Sequence, residues 1–134
     1  MLHNMKEAIH RLPKPTDFEL ELLRCIWEKG SATVRELHEA VSQQRALGYT
    51  SVLKTLQIMT EKGLVHRTEA GKAHIYHATA SQEETQSQIL RDLSERLFSG
   101  SAAQLAMRAL SMQRASAQEL QEIRKLIERK KEER

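Results

Sequence analysis

Four polar side chains close together in the chain, Thr50, Ser51, Lys54 and Thr55, carry groups able to read nucleic-acid base edges. Hydroxyls both donate and accept hydrogen bonds, and a lysine ammonium reaches a guanine edge or a phosphate. Thr50 and Lys54 are four residues apart, so on a helix they share one face with Ser51 beside them. Arg67 and Lys72 supply positive charge suited to phosphate or minor-groove contact. Lys62 is expected to stay solvated, as a last-turn lysine beside a helix dipole.

Catalytic chemistry has less to work with. The sequence has no glycine-rich phosphate loop and no His-Glu-x-x-His. His66, His74 and His77 fall in an expected hairpin, and the odd spacing of His74 and His77 points them to opposite faces. A metal site would need ligands from separate elements with no recognised spacing. Cys25, the single cysteine, leaves no disulfide framework and is expected to be a small buried hydrophobe. No catalytic residue, metal or cofactor is expected.

The elements that must carry these side chains follow from period and punctuation. Residues 1–15 read as a loose arm ending in Pro13 and Pro15. Thr16 or Asp17 can cap a helix over Phe18–Lys29, with Phe18, Leu22, Leu23, Ile26 and Trp27 on one face and Gly30 as its stop. Thr33 and Glu36 form a capping box for a second helix to about Gln43, with Val34, Leu37 and Val41 inward. A third helix spans about Thr50–Lys62, closed by Gly63. Its apolar stripe is Val52, Leu53, Leu56 and Met59. Leu64–Thr68 and Ala73–Ala78 then read as two strands joined by a turn at Gly71. Ser81/Glu84 and Ser116/Glu119 are further capping boxes. They frame a helix to about Phe98, a break at Ser99-Gly100-Ser101, a helix to about Met112 and a last helix that dissolves into the charged tail 129–134.

Three helices and a basic hairpin describe a winged helix-turn-helix, whose second motif helix enters the major groove. The expected fold class is mainly α with a small β-hairpin wing, followed by a three-helix C-terminal region. The domains are residues 1–79, for DNA binding, and residues 80–134, for dimerisation. A segment as short as 80–134 buries too little surface to close its own core. Yet Ile89, Leu93, Leu97, Phe98, Leu105, Leu110, Leu120, Ile123 and Ile127 are too many apolar residues to leave in water. A second copy of the chain is the economical cover.

Charge agrees with an anionic partner. Residues 17–40 hold six acidic against three basic side chains, and residues 41–80 hold five basic against two acidic. At 134 residues with 4% aromatics, the chain lacks the rings for a base-stacking platform. No apolar run approaches a membrane span, so no membrane insertion is expected. The lone cysteine fits a reducing cytoplasm. Two other function classes stay open: a winged-helix protein-interaction module, and a metal- or redox-switched regulator using Cys25 and the hairpin histidines.

Residues 12–78 resemble the penicillinase-repressor (BlaI/MecI/CopY) family of winged-helix regulators. The stretches that carry the resemblance are Thr16–Trp27, Ala32–Leu37, Gly48-Tyr-Thr-Ser-Val-Leu53 and Glu61-Lys-Gly-Leu-Val65, with a Gly71…Tyr76 wing. The helical tail resembles the family's dimerisation region. The resemblance implies a homodimeric repressor on a palindromic double-stranded DNA operator, in some members paired with a membrane sensor metalloprotease that cleaves the repressor. Two departures stand out. Arg108-Ala109 occupies the place of the Asn-Phe bond cut in antibiotic-resistance members, and the tail lacks the Cys-x-Cys pairs of copper-responsive members.

Overall fold

The structure is a computed structural model that describes residues 14–133, so all of the expected N-terminal arm except Lys14 and Pro15 lies outside the described residues. Helix α1 (Asp17–Lys29) starts at Thr16, whose side chain accepts from the Glu19 amide while Glu19 accepts from the Thr16 amide. Strand β1 (Ala32–Thr33) runs directly into α2 (Val34–Ser42). The Thr33/Glu36 capping box forms as expected, with bonds of 2.9 and 3.2 Å. Helix α3 (Tyr49–Lys62) ends on Gly63 in the left-handed conformation, and Leu64 N–H closes back onto the Met59 carbonyl at 2.9 Å. Strands β2 (Val65–Ala70) and β3 (Ala73–Ala78) make the wing.

The sheet has three antiparallel strands in the order β1-β3-β2, rather than the two of a simple hairpin. The added strand is two residues long, pairing Ala32 with Tyr76 and Thr33 with Ile75. Such a segment is too short to show alternation in sequence, and tertiary pairing creates it. Leu22, Ile26, Leu37, Val41, Val52, Leu56, Met59, Val65 and Tyr76 are essentially sealed from solvent and form one core. Tyr76 is the buried member of β3, so the inward parity of that strand is opposite to that of Ile75 and His77. Trp27 Nε1 donates to the Ala80 carbonyl at 3.0 Å, which ties the chain after the wing to α1.

The chain divides into two compact units between Ile89 and Leu90. That division lies within α4 (Gln82–Leu97), beyond the expected boundary at residue 79, because Ala80 and Thr85 are buried with the winged unit. In the second unit Ser99 and Gly100 both take positive φ, which ends α4 and allows α5 (Ala102–Met112) to start on a Ser101 cap. Helix α6 (Ala117–Glu132) starts on the Ser116/Glu119 box. It continues through Glu132 rather than dissolving at Arg129, and side-chain pairs Lys125–Glu122 and Lys131–Glu128 stand along it. Neither α5 nor α6 has a buried residue.

Candidate nucleic-acid interface

Helix α3 sorts its side chains by period. Val52, Leu56 and Met59 are sealed in the core, and Leu53 is partly buried beside them. Thr50, Ser51, Lys54 and Gln57 face out. Thr55 is half-buried, and its hydroxyl donates to the Ser51 carbonyl at 2.9 Å. That bond commits its proton to the helix, so at a base edge Thr55 can only accept, and it has no proton to offer a phosphate. The α3 N-terminus is also distinctive in chemistry. Its cap is Gly48, which offers no side-chain oxygen, whereas α1, α2, α5 and α6 each receive a Ser or Thr hydroxyl. The Tyr49 and Thr50 amides therefore have no side chain competing for them, while the Ser51 amide turns back to the Gly48 carbonyl at 3.1 Å.

The basic side chains of residues 41–80 separate into two groups. Arg45 pairs with Glu21 and lies over the Phe18 ring, 5.0 Å from its centroid. Lys62 does not stand free in solvent as its sequence position suggests. Its Nζ holds both carboxylate oxygens of Glu19 at 2.9 and 3.0 Å, and Glu19 is only 3% exposed. Among the described residues, Lys54, Arg67 and Lys72 make no ion pair, and all three are exposed. Within residues 41–80 the positive charge available to an outside anion is thus on Lys54, Arg67 and Lys72.

The wing turn is the two residues Gly71-Lys72, with Gly71 at φ 62°. A positive φ at the first turn position is a glycine role in a tight hairpin, and it puts Lys72 at the tip. Lys72, Ala73, His74 and Tyr76 line one groove of about 420 Å³ with Thr33, Val34 and Arg35 of the α2 start and Tyr49 and Leu53 of α3. The fold thus brings the wing tip to the first turns of α2 and α3. Arg67, paired across the ladder with Tyr76, does not line that groove. Sequence spacing overlooked Arg35 and Tyr49 as neighbours of the wing. Arg35 lies in an acidic stretch, and only the fold of α2 against β3 turns it toward Lys72.

His66 and His77 sit opposite each other on β2 and β3, with rings stacked 5.1 Å apart, and His77 Nε2 lies 3.0 Å from the Thr68 hydroxyl. His74 lies 4.0 Å from Glu69. Among the described residues no three His, Cys, Asp or Glu side chains gather around one point. Cys25 is half-buried on α1. Burial, with the Glu28 and Glu21 charges, pushes its thiol above the ordinary value, which opposes thiolate chemistry at neutral pH.

In the second unit, Leu97, Leu110, Leu120 and Ile127 are exposed. Leu93, Phe98, Leu105 and Ile123 are half-covered, as is Ile89 at the end of the first unit. No helix among the described residues is long and apolar enough to cross a membrane.

Residues 15–129 match the sequence profile of the penicillinase repressor family. The transcriptional regulator BlaI of Mycobacterium tuberculosis is 27% identical over 118 residues, covering 87% of this chain and 85% of that protein. The penicillinase repressor of Bacillus licheniformis is 19% identical over 121 residues, covering 90% and 94%. The solved DNA-binding domain of the repressor BlaI superposes with a TM-score of 0.50 at 20% identity, over 55% of this chain and 90% of that one, which shows the winged-helix fold. With a match that spans both the winged unit and the helical tail, the chain belongs to the penicillinase repressor family.

Proposed function

We propose that this protein is a transcriptional repressor that binds double-stranded operator DNA as a homodimer, with α3 in the major groove and the wing on the backbone. One observation carries the DNA interface: of the basic side chains described in residues 41–80, those without an ion-pair partner are Lys54 on the outward face of α3 and Arg67 and Lys72 on the wing. Thr50, Ser51 and Lys54 read base edges, Thr55 accepts, and Arg67 and Lys72 hold phosphates. The relatives named above are called transcriptional regulator and repressor, which supports the same assignment.

The homodimer is supported by the open apolar side chains of the tail. Leu97, Leu110, Leu120 and Ile127 stay 43–68% exposed in the single chain, and a two-fold partner offering the same surface would cover them. Two winged units then meet two half-sites, which makes the operator palindromic. No cofactor is part of this proposal, and a repressor of this kind works in the cytoplasm. A membrane sensor metalloprotease, implied by the family resemblance, is the proposed upstream partner. The stretch that would meet it lies in α5, where Arg108 and Ala109 are exposed.

Selection of full-length protein against a random duplex library tests the proposal. The expected product is an inverted repeat, bound with a steep inverse dependence on salt. Enrichment of no sequence, or binding indifferent to salt, would overturn it.

A further inference from the structure

We infer that Ile58 reads the C5-methyl of a thymine in the major groove and is a specificity-determining residue of this repressor. On α3 the large aliphatic side chains otherwise turn inward: Val52 and Leu56 are sealed and Leu53 is packed against the core. Ile58 is the outward exception, 40% exposed in the third turn of the helix. By helical period it falls between Lys54 and Ser51, inside the polar stripe. A β-branched side chain at an exposed helix position is a poorer helix former than the straight-chain polar residues, and here 40% of it is left open to water.

The groove supplies the missing partner. Base edges there present hydrogen-bond donors and acceptors, and the apolar group among them is the thymine methyl. Ser51 and Ile58 are seven residues apart, about 10 Å along the helix axis, or about three base-pair steps. Glu61 comes next on the same face, and its charge is repelled by phosphates, so Ile58 closes the reading stretch. The contact presupposes the DNA interface proposed above, and the test keeps the two apart.

Full-length protein first selects its preferred duplex from a random library. Each thymine of that duplex is then replaced in turn by deoxyuridine, and every duplex is titrated with the wild type, Ile58→Ala and Ile58→Val. Loss of one methyl at the contacted thymine should weaken the wild type by about fourfold, the value of one buried methylene-sized group. Ile58→Ala should be indifferent at that position, Ile58→Val should keep part of the response, and all three should melt together. Equal responses of wild type and Ile58→Ala at every thymine overturn the contact and leave the DNA interface standing. Failure to select any duplex overturns both.

Discussion

Lys54 and Lys62 lie on the same helix, eight residues apart, and do opposite work. Lys62 is consumed by the buried Glu19 carboxylate. Lys54 has no ion-pair partner among the described residues. Lys54→Ala or Thr50→Val should lower affinity for the selected operator at least about tenfold and affect scrambled duplex far less, because a base-edge contact counts only for the sequence it reads. Arg67→Ala and Lys72→Ala should instead weaken both duplexes alike and reduce the salt slope by about one each. Fluorescence titration at two salt concentrations separates these patterns. If Lys54→Ala behaves as the wing variants do, Lys54 is a phosphate contact. Lys62→Ala should act through folding, since it leaves a carboxylate buried with only the Thr16 amide for company. A loss of about 1–3 kcal/mol in urea unfolding is expected, and an unchanged midpoint would deny the pair a structural role. The outward face of α3 was legible from a local period. The partner of Lys62 was not, because Glu19 lies 43 residues away in the chain.

At the scale of elements, helix starts and stops were the most readable features. Thr33, Ser81 and Ser116 all cap as their spacing to a following glutamate predicts, because a capping box is closed within four residues, and of the two candidates Thr16 and Asp17 it is Thr16 that caps α1. β1 and the full length of α6 escaped for opposite reasons. β1 exists only through its pairing with β3, whereas α6 carries a polar sequence that resembles a tail yet stays helical through Glu132. Thr33 belongs to both a strand and a cap, so Thr33→Ala should destabilise the winged unit by about 1 kcal/mol from the cap alone. The Thr33 amide and hydroxyl hold the Glu36 carboxyl below its ordinary value. A depressed carboxyl contributes stability above its unfolded-state pKa and loses it as pH falls through the lower folded value. Protection of the amides at the start of α2, taken relative to the intrinsic exchange rate at each pH, should therefore fall in acid, and Glu36→Gln should remove most of that dependence. A pH-independent α2 in the wild type would contradict the assignment.

For the molecule as a whole, the proposed dimer rests on the second unit. Its helices are well formed by local rules, yet they leave apolar side chains open that no amount of helix propensity can satisfy. Sedimentation of the full chain should give a dimer at micromolar concentration. A chain ending at Ile89 keeps the Trp27–Ala80 bond and the buried Thr85. It should fold as a monomer and bind an operator far more weakly, because one rigid dimer adds the contacts of two half-sites. A monomeric full-length chain, or a truncated chain that binds as tightly, would break the link between tail and affinity. The surplus of apolar residues over available core was legible, and in the single chain several of them stay open; the point of division was not, since it falls within the continuous helix α4.

The glycine that opens α3 sets folding and recognition against each other. Gly48 has φ −74° and open space where a Cβ would stand, so its backbone does not demand glycine. Aspartate could enter there without strain and supply the missing cap, adding a few tenths of a kcal/mol of stability. The same carboxylate would occupy the first-turn amides and face the phosphates. Gly48→Asp should accordingly melt slightly higher and repress less, a trade-off in which the better-folded protein is the poorer repressor. Paired melting and titration curves would expose it, and a variant gaining in both would mean that the α3 N-terminus stays clear of the DNA backbone.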